Sequence, residues 1–185
     1  MKKFILTAIV AIAAMTANAQ VWVGGQFGYT FSKVNDFNEF GDLKVNEFAI
    51  LPEVGYTLND KWDIALQIGD EYQSVKVGNG KAESMNAFVV APYARYTFYK
   101  TGKVGFFVDG GFSIKTGDFS EEGIDFEDET MWGIGIRPGV KFAASDKVTF
   151  VASFGGLGYR SAGDFSQLGF NVNGNALQFG CYYSF

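Results

Sequence analysis

The final ten residues, ALQFGCYYSF, set Leu177, Phe179, Cys181, Tyr183 and Phe185 on one side of an extended chain and Ala176, Gln178, Gly180, Tyr182 and Ser184 on the other. In a strand successive side chains alternate between faces, so a period of two defines one apolar and one small or polar surface. The same period recurs seven times upstream. The apolar face takes the odd positions from Val21 to Phe31. It then takes the even positions from Phe48 to Leu58, Trp62 to Ile68, Phe88 to Phe98, Val104 to Ile114, Trp132 to Phe142 and Val148 to Phe154. These stretches predict eight strands in an all-β chain. The 20 Phe, 9 Tyr and 24 Gly against 3 Pro agree, since aromatic residues favour strands and glycines favour tight turns.

The connections fall into two kinds that alternate along the chain. Three are short: Leu58 to Lys61, Tyr99 to Lys103 and Ala143 to Lys147. Four are long, over residues 32–46, 71–83, 115–130 and 161–174. An even number of strands with tight turns at one end and long polar loops at the other is the layout of an up-and-down transmembrane β-barrel. The segments PEVGYTLNDKW, PYARYTFYKTGKV and PGVKFAASDKV repeat one hairpin unit, in which a proline precedes an aromatic, a turn and a lysine. Lys61, Lys103 and Lys147 then mark the rim at the tight turns. Pro52, Pro92 and Pro138 lack the N–H of a paired strand, so local ladder breaks or bulges are expected at each.

Charge decides which face is inside. The faces opposite the apolar ones carry Glu53, Asp63, Arg95, Asp109, Arg137 and Lys141, with Gln26, Gln67 and Gln178. An Arg or Lys at the lipid midplane costs about 2 to 4 kcal/mol, so the charged face is the interior. A soluble ligand-binding barrel would reverse this arrangement. Eight strands enclose a space that side chains fill, so Glu53, Arg95, Asp109 and Arg137 are expected to pair near mid-height as a polar plug. Arginine's planar fork suits carboxylates. Aromatic residues gather in two bands: Tyr56, Trp62, Tyr96, Phe98, Phe142, Tyr183 and Phe185 toward the tight turns, and Tyr29, Phe31, Phe48, Phe88, Phe112 and Trp132 toward the long loops.

The N-terminus sets Lys2 and Lys3 before an uncharged run from Phe4 to Met15 and then Ala17-Asn18-Ala19. This predicts a cleaved signal peptide over residues 1–19, because the apolar run is shorter than a spanning helix needs and small residues precede the cut. The barrel domain is then 20–185, with a more acidic balance than the whole chain's net charge of −5. An acidic domain without a basic cluster gives no electrostatic reason to expect nucleic-acid binding, so no nucleic-acid partner is assigned. Cys181 is the one cysteine, so there is no internal disulfide.

The A-x-A signal, the eight amphipathic strands and the terminal Tyr183-Ser184-Phe185 resemble small eight-stranded outer-membrane barrels of the OmpX and OmpA-domain type. The proline, aromatic, turn and lysine units resemble the outer-membrane β-barrel proteins of Bacteroidetes. The resemblance implies residence in the outer membrane of a Gram-negative cell, contact with its lipid and lipopolysaccharide, and a monomer. It also implies that Phe179, Cys181, Tyr183 and Phe185 are read by the barrel assembly machinery. Peptidoglycan tethering is not implied, since no periplasmic domain accompanies the barrel.

Three function classes follow. The first is a structural or adhesin-like surface protein acting through its loops. The loop 115–130 stands out, with Asp118, Glu121, Glu122, Asp125, Glu127, Asp128 and Glu129 against one lysine, interrupted by Phe119, Ile124 and Phe126. Its acids match no ordered calcium loop, so it is read as a solvated acidic loop open to an extracellular partner. The second is a narrow gated pore for water or small solutes. The third, a lipid-modifying or proteolytic enzyme, is disfavoured by the absence of histidine and of any G-x-S-x-G motif. No catalytic residue, metal site or cofactor is assigned.

Overall fold

The computed structural model describes residues 21–34, 42–78, 80, 82–121, 124–125, 129–162, 165–171 and 177–185. The expected signal peptide therefore lies outside the described residues. Eleven strands appear among those described: β1 (Val21–Val34), β2 (Leu43–Thr57), β3 (Trp62–Val77), β4 (Ala82–Thr101), β5 (Val104–Glu121), β6 (Ile124–Asp125), β7 (Glu129–Ala143), β8 (Val148–Phe154), β9 (Gly156–Ala162), β10 (Phe165–Asn171) and β11 (Leu177–Ser184). All pairings are antiparallel. β7 pairs with β5 on one side and with β8 and β9 on the other, and β11 and β10 continue from these. β1 then pairs with both β11 and β2, which closes the ring. The wall is an eight-strand up-and-down barrel in which β8 with β9, and β10 with β11, fill one place each, and β6 extends a hairpin at the tip of β5.

The strands run well beyond their predicted ends. β3 and β4 stay paired out to Lys76 and Ala82, so most of the expected connection 71–83 is hairpin. β5 and β7 stay paired to Gly117 and Glu129. The segment 161–174, expected as a loop, contains β10. Its partner β9 begins at Gly156, just after Gly155 at φ 59°, a left-handed conformation that favours glycine. Between the β7–β9 and β7–β8 ladders the register slips by one residue, from Ile136↔Leu157 to Gly139↔Ser153. That slip reverses which positions face out, so alternation is lost across Phe154 to Leu157.

The three prolines behave as their chemistry requires. Pro52 and Pro92 remain in register with β1 and β3, but the ladders toward β3 and β5 skip the pairs at 51–52 and 91–92 without a shift. Pro138 keeps its β5 partner Val108 and coincides with the slip toward β8 and β9. In each case the missing N–H costs a rung on one side only. In the second hairpin a bulge between Thr97 and Tyr99, and a turn closed by Gly102 at φ 54°, absorb the two extra residues of its repeat.

Burial follows the predicted faces. Phe27, Ile50, Ile64, Phe88, Ile134, Ile136, Phe150 and Phe179 are exposed on the outside, while Gln26, Glu53, Asp63, Gln67, Arg95 and Asp109 are buried within. The expected aromatic bands form pairs. Trp62 and Tyr96 lie 4.7 Å apart toward the tight turns, where Tyr183 also packs on Phe185 at 5.4 Å. Toward the other end Phe112, Trp132 and Tyr159 form a chain of rings.

Candidate functional site

Cross-strand register builds the centre of the lumen. Thr57, Asp63, Arg95, Asp109 and Arg137 are successive partners across β2, β3, β4, β5 and β7, all inward. Arg95 donates to Asp109 twice, Nε to Oδ1 at 2.7 Å and Nη2 to Oδ2 at 2.9 Å, with both side chains almost fully buried. A bidentate fork of this kind is the strongest form of the contact. Arg137 approaches the same carboxylate at 3.7 Å and donates from Nη1 to Gln178 Oε1.

Glu53 is buried in the lumen, but no direct ion pair joins it to either arginine among the described residues. Neutral donors surround its carboxylate instead. Gln26 Nε2 and Gln67 Nε2 donate to Oε1 at 2.7 and 2.8 Å, Tyr93 donates to Oε2 at 2.5 Å, and Tyr182 donates to Oε1 at 3.3 Å. The two hydroxyls also accept from Arg95 Nη2, at 3.5 and 3.4 Å, so Glu53 and Arg95 communicate through tyrosines. The four-residue ion-pair cluster is thus one triad, Arg95, Asp109 and Arg137, with Glu53 held separately by neutral side-chain donors. Burying a carboxylate is tolerable when its lone pairs are filled, and here four donors fill them.

The aromatic part of the cluster was not singled out by sequence. Trp22, Tyr93, Phe107, Val151 and Tyr182 form one buried group. The Arg95 guanidinium lies 3.9 Å from the Phe107 ring centroid, in cation–π geometry. Tyr93 and Phe107 sit two residues before Arg95 and Asp109, so the same alternation that turned the charges inward also turned these rings inward. A second ion pair lies closer to the tight turns, Lys141 to Asp63 at 3.6 Å, with Thr57 donating to Asp63 at 2.7 Å. Lys115 pairs with Glu71 toward the other end.

Cavities flank this layer. One of about 160 Å³ on the tight-turn side touches Asp63, Arg95, Lys100 and Lys141. One of about 540 Å³ on the opposite side touches Tyr93, Asp109, Arg137 and Arg160.

For the acidic loop, the backbone sets Asp118 and Glu121 on β5, Asp125 on β6 and Glu129 at the start of β7, with Ser120 opposite Asp125. Glu122, Glu127 and Asp128 lie outside the described residues. Among those described, no group of three or more His, Cys, Asp or Glu side chains is placed to hold a metal ion. In the terminal strand Phe179, Cys181, Tyr183 and Phe185 face outward, as the alternation requires.

A family model described as outer membrane protein beta-barrel domain matches residues 4–185. The chain belongs to this family. It is therefore an outer-membrane β-barrel protein. Among solved structures, Neisserial surface protein A is similar with a TM-score of 0.53 and 18% identity, over 89% of this chain and 97% of that one. The N-terminal β-barrel domain of OprF from Pseudomonas aeruginosa (TM-score 0.47, 18% identity, 90% and 98% covered) aligns more loosely. So does Ail, the attachment invasion locus protein of Yersinia pestis (TM-score 0.47, 15% identity, 90% and 99% covered). At 18% identity the likeness to the Neisserial protein is one of fold. No curated protein sequence matches the chain.

Proposed function

We propose that this barrel is a non-catalytic, adhesin-like surface protein whose extracellular hairpins meet a partner while a side-chain layer keeps the lumen closed. The observation that carries this reading is the buried layer of Arg95, Asp109, Glu53, Tyr93, Phe107 and Tyr182, which supports a closed lumen and a rigid anchor for the hairpins. Outer-membrane lipid and lipopolysaccharide surround the exposed apolar band. The barrel assembly machinery reads Phe179, Cys181, Tyr183 and Phe185, and the barrel works as a monomer. The hairpin of β5, β6 and β7, rich in acids and punctuated by Phe119, Ile124 and Phe126, is the contact surface for a basic extracellular partner.

The test replaces residues 118–128 by a short Gly/Ser turn, leaving the Gly117↔Glu129 pair in place. Heat-modifiable gel migration should be retained, and capture of extracellular partners by whole cells should fall to background. Undiminished capture would move the contact surface to another hairpin.

One observation favours a second reading, a narrow gated conduit for water or small solutes. The two cavities lie on either side of the buried layer, one touching Asp109 and Tyr93 and the other Arg95 and Tyr182, so a rearrangement of that layer is what a gate would require.

A further inference from the structure

Inward positions on one wall of the lumen are occupied by glycine in an unbroken row. Gly111 is the partner of Gly135, Gly135 of Gly158 and Gly158 of Gly169, across β5, β7, β9 and β10. Close strand approach accounts for two of them: a Cβ on Gly111 would lie 2.7 Å from Pro92 O, and one on Gly135 would lie 2.9 Å from Leu157 O. With no side chains there, the cavity of about 540 Å³ remains, within the size range of small-molecule sites.

Arginines bracket the glycine row. Arg137 is one inward step nearer the tight turns on β7, and Arg160, paired with Gly133, is one step farther out. At about 3.3 Å per residue the four positions from Gly133 to Arg137 span roughly 13 Å. Neither guanidinium is fully used. Asp109, the acid nearest Arg137, is held bidentately by Arg95, and Arg137 Nε is buried without a hydrogen-bond partner. Arg160 is exposed, makes no ion pair among the described residues, and runs beside Ser113, since a Cβ on Gly133 would meet Ser113 Oγ at 3.2 Å and Arg160 Cγ at 3.5 Å. Two under-committed arginines in a smooth-walled chamber make an anion site, because guanidinium forks bind carboxylate and phosphate oxygens in pairs.

We propose that the glycine-walled cavity binds a small organic anion, a carboxylate or phosphate monoester of monosaccharide size, between Arg137 and Arg160. This goes beyond the surface role of the hairpins and does not depend on it.

The test is a solution NMR titration of the full refolded barrel in detergent with glucuronate, glucose 6-phosphate and neutral glucose. Saturable shifts of the Gly111, Gly135 and Gly158 amides and of the Arg137 Nε–H are expected with either anion and not with glucose. Arg160→Gln, at an exposed residue, should weaken anion binding roughly tenfold, the loss of one charge-assisted contact. Gly169→Leu should abolish binding by filling the chamber, because a Cβ there meets nothing within 4 Å and the wall tolerates it. Equal shifts with glucose, no saturable shift with either anion, or full affinity in Arg160→Gln would overturn the proposal. The barrel lacking 118–128 should bind the anions as the parent does, which separates this site from the hairpin reading.

Discussion

The lumen on the tight-turn side of Glu53 is packed with Trp22, Tyr93, Phe107, Val151 and Tyr182 around a matched set of charges, whereas the wall of β5, β7, β9 and β10 just beyond presents Gly111, Gly135, Gly158 and Gly169. Both regions obey the same inward alternation on strands of the same ring. The volume of the inward residues, not the number of strands, decides which level of the lumen is filled. In a barrel whose bore is about one side chain deep, a ring from each of several strands is enough to close it, and a row of glycines is enough to leave a chamber.

The contrast breaks most severely at Arg95. Arg95→Ala strips the bidentate partner from Asp109, leaving only Arg137 at 3.7 Å, and should cost about 4 kcal/mol, as expected for half of a buried pair. Urea unfolding followed by heat-modifiable migration reads this, and an unchanged midpoint would mean that the pair is not buried. Phe107→Ala removes the ring beneath the guanidinium and should cost about 3 kcal/mol by the same assay, the usual penalty for emptying an aromatic site. On the outer surface, Ile134→Arg should cost about 2 kcal/mol in lipid vesicles, provided Ile134 meets hydrocarbon. The smallest effect belongs to Lys141→Ala, under about 1 kcal/mol, because its pair with Asp63 is partly solvated and Thr57 still serves the carboxylate. A loss as large as that of Arg95→Ala would extend the packed region down to the tight turns.

Much of this was legible in the chain. Period-two alternation yields the faces, the tight turns yield the hairpins, and Pro52, Pro92 and Pro138 announce their ladder breaks. Glu53 shows where legibility stops. Its inward direction follows from parity, but its partners depend on register and stagger around a closed wall, which bring Gln26, Gln67, Tyr93 and Tyr182 to it from four other strands. β9 and β10 were hidden for another reason. The slip at Gly155 and Gly156 shifts parity by one, so Leu157 and Tyr159 face out on odd positions where Phe150 and Phe154 faced out on even ones. The glycine row was invisible for a similar reason, since its members are scattered from 111 to 169 and meet only through pairing.

Closure of the lumen by the Arg95 layer is tested most directly by conductance of the purified barrel in planar lipid bilayers. Insertions should give no stable open level above baseline, while Phe107→Ala should admit small, flickering currents. Reproducible ohmic steps from the unaltered protein would contradict a closed lumen and favour the conduit.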